Sequence, residues 1–163
     1  VGKGASFSVM FPLLPELTKV PAPNLSGEML RSDSESLKGL RVLLVDDEPE
    51  ARKIFSTVIE RTGAEVKACE TAGEALQTLK DWHPDVLMSD IAMPDEDGYS
   101  FIGKVRSLPQ DKGGATPAAA LTAYARDEDR KRALEAGYQM HIAKPVSSGQ
   151  LINVIARLTG RLA

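Results

Sequence analysis

The sequence predicts an α/β fold in which a five-stranded parallel sheet carries helices on both faces. Three observations predict it. From Leu40 onward, short apolar runs alternate with amphipathic stretches five times in succession, the pattern of repeated β–α units. The first and third runs, around Leu43-Leu44 and Leu87-Met88, are nearly unbroken Val, Leu and Met, as strands buried on both faces require. Capping residues and glycines stand where the amphipathic stretches begin and end.

Taken in order, the strands are expected over 41–45, 65–69, 85–89, 117–121 and 140–143. The helices between and after them are expected over 50–62, 73–82, 99–108, 128–136 and 149–159. Thr71 and Asp127 suit N-cap positions, and Gly63 and Gly137 suit left-handed residues at helix C-termini. Five such units make a doubly wound, flavodoxin-like (βα)5 sheet with strand order 2-1-3-4-5.

The first 38 residues read differently. Over 6–14, Phe7, Val9 and Phe11 alternate with Ser6, Ser8 and Met10, a strand pattern ended by Pro12 and Pro15. Residues 21–38 are rich in Pro, Ser, Gly and Glu and read as a linker. The chain therefore divides into an N-terminal extension over 1–20, a linker over 21–38 and a main domain over 39–163. An isolated strand cannot bury its own apolar face, so the strand over 7–11 needs a partner. A sheet edge in a second copy would serve, which makes a homodimer an open expectation.

Composition narrows the function classes. Hydrophobic residues make up 42% of the 163 and charged residues 26%, with a net charge of −3. That balance gives no basic footprint for nucleic acid. No run approaches the ~18 apolar residues of a membrane span, so neither nucleic acid nor membrane contact is expected. The single cysteine, Cys69, excludes an internal disulfide and reads as core packing in a cytoplasmic protein. His83, His141 and Cys69 are too few for a zinc site.

The chemistry collects after the strands. In an open α/β sheet, ligands bind beyond the carboxyl ends of the strands, where the strand order reverses. Asp46-Asp47-Glu48 follow the first strand, Asp90 the third, Thr122 the fourth and Lys144-Pro145 the fifth. Glu70-Thr71, after the second, reads as helix capping. Strands one and three are neighbours at the switch point, so the three aspartates, a hydroxyl and an ammonium meet at one rim. Crowded carboxylates repel one another unless a cation intervenes, and an oxygen-only set of this kind suits Mg²⁺. With the charge offset, one aspartate can act as a nucleophile towards a phosphoryl group. The tract Asp95-Glu96-Asp97-Gly98 fails as a calcium loop, since the register would place Met93 first and Lys104 last. Gly2-Lys3-Gly4 lacks the spacing of a phosphate loop.

Four stretches in order, Val-Asp46-Asp47-Glu48, Ser-Asp90-Ile-Ala-Met-Pro94-Asp-Glu-Asp-Gly98, Leu-Thr122-Ala and Ala-Lys144-Pro145, resemble the receiver domain of two-component response regulators. The resemblance implies that Asp90 accepts phosphate from a phosphohistidine on a histidine kinase core or a phosphotransfer domain. It implies that Asp46, Asp47, Asp90 and the Ala92 backbone carbonyl hold Mg²⁺, and that Thr122 and Lys144 contact the phosphate. It further implies a cis Lys144–Pro145 bond, and a conformational switch through Thr122 and the residue three before the lysine. That residue, usually aromatic, is His141 here. Ala92 and Tyr124 occupy the positions that tune dephosphorylation; Ala92 has no polar group to orient water, so slow autodephosphorylation is expected. The segment Gly2-Lys-Gly4-Ala-Ser6-Phe-Ser-Val-Met-Phe-Pro12-Leu resembles the last turn and strand of a histidine-kinase ATP-binding domain. The whole then reads as the C-terminal piece of a hybrid sensor kinase, this chain alone being no enzyme beyond its own phosphorylation and dephosphorylation.

Two other classes compete. Aspartate-based phosphatases of similar topology use an Asp-x-Asp pair, but the second position here is Ala92. A phosphate-independent docking domain of the same fold is the other alternative, although such domains usually lose an acidic residue or the lysine, and this chain has them all.

Overall fold

The computed structural model describes residues 36–123 and 126–162. Five strands, β1 (Arg41–Val45), β2 (Glu65–Cys69), β3 (Val86–Asp90), β4 (Ala118–Thr122) and β5 (Met140–Ala143), form one sheet in the order β2-β1-β3-β4-β5, with every pairing parallel. The helices are α1 (Pro49–Glu60), α2 (Ala72–Trp82), α3 (Gly98–Arg106), α4 (Asp127–Ala136) and α5 (Ser148–Leu158). A short 3-10 turn over Gln110–Lys112, unexpected from the sequence, precedes β4.

Strand alternation divides the core into two layers. Val42, Leu44, Met88 and Leu121 face α1 and α5, where Phe55, Ile59, Leu151 and Ile155 close over them. Leu43, Val45, Leu87 and Ala120 face the other way, against Leu79 of α2, Phe101 and Val105 of α3 and Ala133 of α4. The inner strands β3 and β4 are buried throughout, as is β1 apart from Arg41, whereas the edge strands β2 and β5 are only partly so. That is the burial expected of a parallel sheet wrapped on both faces.

Local signals set the helix ends. Thr71 caps α2 by accepting from the Glu74 amide, and Ser147 with Gln150 forms a reciprocal capping box on α5. Gly63 and Gly137 take positive φ, 82° and 122°. Asp127, however, is the first helical residue of α4, and Arg126 is the N-cap without a side-chain bond. The acidic Asp127, Glu128 and Asp129 of that first turn instead favour its dipole.

Two further residues tie connections to the frame. Arg106 donates to the carbonyls of Gly137, Gly114 and Thr116 and to the Gln139 side chain, at 2.8–3.0 Å. Leu37 is fully buried in the layer beneath α1 and α5, and its amide donates to the Thr62 carbonyl at 3.2 Å. The tract that reads as linker therefore ends in the core.

Candidate functional site

The site forms where the central strands end. Asp90 is the last residue of β3, still paired with Leu121 in register, and Thr122 is the last of β4, paired with Ala143. Asp46 and Asp47 follow β1 directly. Because β1 and β3 are neighbours, the turn after β1 lies beside the end of β3. Asp46 is completely buried, Asp90 is 5% exposed and Asp47 is half-buried.

Lys144 arrives from the end of β5 and bridges the two buried carboxylates. Its Nζ lies 2.9 Å from Asp46 Oδ2 and 2.9 Å from Asp90 Oδ2. The other oxygens accept backbone amides, Asp46 Oδ1 from Glu48 at 3.0 Å and Asp90 Oδ1 from Ala92 at 3.2 Å. Burial by itself would lower the Lys144 pKa. Its hydrogen bonds to Asp90 and Asp46 outweigh that, and the net shift is upward from 10.5. The Lys144 amide donates to the Thr122 carbonyl at 2.7 Å, which joins the ends of β4 and β5, and the Lys144–Pro145 peptide is cis.

Asp46, Asp47 and Asp90 can each offer a carboxylate oxygen with all three within 4.8 Å of one another. Three carboxylates against one ammonium leave the cluster with excess negative charge. Oxygen donors with that excess fit a hard divalent cation of the Mg²⁺ type.

The turn after Asp90 is drawn tight at Gly98, whose amide donates to the Ile91 carbonyl at 2.9 Å. A Cβ at Gly98 would stand 2.6 Å from the Asp90 carbonyl oxygen, so the close approach requires glycine. The Gly98 carbonyl accepts from the Tyr138 hydroxyl at 2.8 Å, and Tyr138 is 2% exposed.

The structure thus brings together Asp46, Asp47, Asp90 and Lys144, with Thr122 at the same rim and the Ala92 amide on Asp90. His141 stands two residues before Ala143, half-buried, and lines a groove with Gln150 and Asn153 between β5 and α5. Tyr124, the strand expected over 7–11 and the rest of the expected N-terminal extension lie outside the described residues. Cys69 is buried with Sγ 3.5 Å from Thr78 Oγ1, and burial pushes its thiol pKa up, as suits a packing residue. His83 ends α2 on the surface, with φ at 52°.

Sequence reasoning missed three contributors, Arg52, Glu70 and Tyr138. Glu70, read as capping, faces Arg52 of α1 at 3.1 Å, while Tyr138, which belongs to no motif in the sequence, reaches the turn behind Asp90. The only advance signal for Glu70 was the strand order, which sets the end of β2 beside the end of β1.

Comparisons with known proteins agree with this architecture. Residues 42–156 match the response regulator receiver domain family. An uncharacterized 14.6 kDa protein of Leptolyngbya boryana is 44% identical over 121 residues, which cover 74% of this chain and 91% of that protein. Hybrid signal transduction histidine kinase D of Dictyostelium discoideum is 34% identical, over 84% of this chain but 9% of the kinase. Signal transduction histidine-protein kinase BarA of Escherichia coli is 30% identical, over 89% of this chain but 16% of its own length. Among solved structures, a putative response regulator from Chloroflexus aurantiacus superposes with a TM-score of 0.70 at 29% identity, covering 76% of this chain and 99% of that one. The receiver domain of sensor histidine kinase PA1611 from Pseudomonas aeruginosa, described with a magnesium ion coordinated in the active site cleft, gives 0.68 at 29% identity, covering 75% and 98%. A family match over that span, on this sheet order, makes the chain a member of the response regulator receiver domains of two-component signalling.

Proposed function

We propose that this domain takes a phosphoryl group from a phosphohistidine onto Asp90 and thereby changes its affinity for protein partners. One observation carries the reading. The Asp90 carboxylate sits at the buried end of β3, bridged to Asp46 by Lys144 and within 4.8 Å of Asp47. A carboxylate is a weak nucleophile in water, and positioning beside offset charge is what phosphoryl transfer asks of a protein.

In the reaction an Asp90 carboxylate oxygen attacks phosphorus as the P–N bond of the phosphohistidine breaks, and the imidazole nitrogen keeps the electron pair. Lys144 Nζ, already at the carboxylates, takes a phosphoryl oxygen, and the Thr122 hydroxyl donates to another. Asp46, Asp47, Asp90 and the Ala92 carbonyl would hold Mg²⁺, which when bound supplies positive charge against the clustered oxygens. Movement of Thr122 and of His141 in its β5–α5 groove then alters the output face. Ile54, 59% exposed on α1, offers an apolar contact for the donor, a kinase core or a phosphotransfer domain.

The relation to kinases supports a place within a hybrid histidine kinase. The aligned part of BarA covers 89% of this chain, more than the stretch from Val42 to the end, so it takes in residues upstream of the receiver match. We read residues 1–20 as the end of a kinase ATP-binding domain and 21–38 as the linker. Transmission of the signal, rather than turnover of a substrate, is then the role of this chain. Within that reading this segment is cytoplasmic; among the described residues no helix is long and apolar enough to cross a membrane.

The test is mass spectrometry after incubation with Mg²⁺ and acetyl phosphate. A gain of one phosphoryl mass is expected, abolished in Asp90→Ala and by EDTA. Its decay after donor removal reads the autodephosphorylation, expected to be slow with Ala92. Folded protein that gains no mass and binds no beryllofluoride would instead be a phosphate-independent docking domain.

A further inference from the structure

Arg52, in the first turn of α1, holds the backbone of the acidic turn from outside the cluster. Its Nη1 donates to the carbonyl of Asp46 at 2.7 Å and to the carbonyl of Asp47 at 2.9 Å. Its own amide donates to the Glu48 carbonyl at 3.0 Å. One residue therefore takes three consecutive carbonyls of the β1–α1 turn. Nη2 reaches Glu70 Oε2 at 3.1 Å, across to the end of β2. The Arg52 side chain is 17% exposed while that of Glu70 is 66% exposed, so the inner member of the pair is the one committed to the turn.

The arrangement matters because Asp46 and Asp47 repel each other and Asp90. Peptide groups free to rotate would let the two side chains turn apart. The guanidinium fork can satisfy several oxygens at once without side-chain rearrangement, which a lysine cannot do. We propose that Arg52 is a positioning residue for the acidic cluster, fixing the turn that aims Asp46 and Asp47 inward and latched in place by Glu70. The inference rests on the phosphoacceptor reading for what the cluster does, but not for how the turn is held.

Charge and geometry make opposite forecasts. If Arg52 mattered only as a cation, its removal would tighten binding of another cation and neutralising Glu70 would weaken it. If it positions the turn, removal loosens the ligands, and loss of such outer support typically lowers metal affinity about tenfold or more. The experiment is calorimetric titration with Mg²⁺ alone, no phosphodonor present, on the parent protein, Arg52→Met and Glu70→Gln. Amide hydrogen exchange at Asp47 and Glu48 is followed in metal-free protein. Expected are about tenfold weaker Mg²⁺ binding and faster Glu48 exchange in Arg52→Met, with Glu70→Gln close to the parent. Equal or tighter Mg²⁺ binding in Arg52→Met, with unchanged exchange, would overturn the proposal. Should Arg52→Met not fold, Arg52→Lys carries the same test, since it keeps the charge and loses the fork: weaker binding supports positioning and unchanged binding overturns it. If the parent itself binds no Mg²⁺, the phosphoacceptor reading falls, and the exchange comparison alone decides the role of Arg52.

Discussion

Lys144 binds the Asp90 carboxylate and Tyr138 the Gly98 carbonyl of the following turn, and their surroundings shift both in the same direction. Lys144 is lowered by burial but raised further by Asp90 and Asp46, ending above 10.5. Tyr138 is raised well above 10.0 by burial. A group whose folded pKa exceeds its unfolded value keeps its full contribution below the unfolded value and loses it as pH rises towards the folded one. Both groups therefore predict a stability that holds through neutral pH and declines above about pH 10. Urea midpoints measured from pH 8 to pH 11 should show a shallower decline in Lys144→Met and in Tyr138→Phe than in the parent. Equal slopes in all three would place the alkaline loss elsewhere. At neutral pH, Tyr138→Phe leaves the buried Gly98 carbonyl without its donor and should cost about 1–3 kcal/mol.

These residues also mark where the site could and could not be read in advance. Asp46, Asp47, Asp90 and Lys144 were legible because a charged side chain just past a buried apolar run has few structural uses. Arg52 and Tyr138 were not, since their acceptors are the carbonyls of Asp46, Asp47 and Gly98. A backbone carbonyl has no sequence signature, so a residue that acts on one looks like any surface arginine or core tyrosine.

At the scale of elements, the strand ends carry the same lesson. The apolar runs end at Met88 and Leu121 and the strands read from them at Ser89 and Leu121, but pairing continues through Asp90 and Thr122. Asp90 and Thr122 occupy the last paired positions of their strands, where side-chain character and backbone structure part company. Helix α3 offers a paired test of how tightly the following turn is drawn. Gly98 and Gly103 lie in the same helix, yet a Cβ at Gly98 would meet the Asp90 carbonyl at 2.6 Å and the Ile91 Cα at 2.8 Å, whereas one at Gly103 meets nothing within 4 Å. Gly103→Ala should therefore stabilise by about 0.5–1 kcal/mol, the helix-propensity difference. Gly98→Ala must displace backbone and should destabilise by about 1–3 kcal/mol, as overpacking does. Thermal midpoints moving in opposite directions would bear this out; a Gly98→Ala midpoint at or above that of the parent would mean the turn can yield.

Across the whole molecule, the domain is closed by a residue its composition assigns to the linker. Leu37 is one of a few scattered apolar side chains in a tract rich in Pro, Ser and Glu, and scattered residues have no period to read. In the fold it is fully buried with Ile59, Leu40 and Ile155. Its flanks are held as well: the Gly39 amide donates to the Gly63 carbonyl at 3.2 Å, and Arg161 Nη2 donates to the Lys38 carbonyl at 2.8 Å. The entry to the domain is thus fastened both to the turn after α1 and to the residues after α5. Removing a plug of this kind costs most where the cavity it leaves cannot collapse. The packing of Leu37 between two helices and a strand layer argues that it cannot, so Leu37→Ala should cost about 2–5 kcal/mol. Leu134→Ala, at a site 41% exposed on α4, should change stability by less than about 1 kcal/mol and serves as the control. Urea unfolding of both variants decides the matter. A Leu37→Ala cost no larger than that of Leu134→Ala would mean the segment before β1 is dispensable, and the fold would then begin at β1 instead of at the plug.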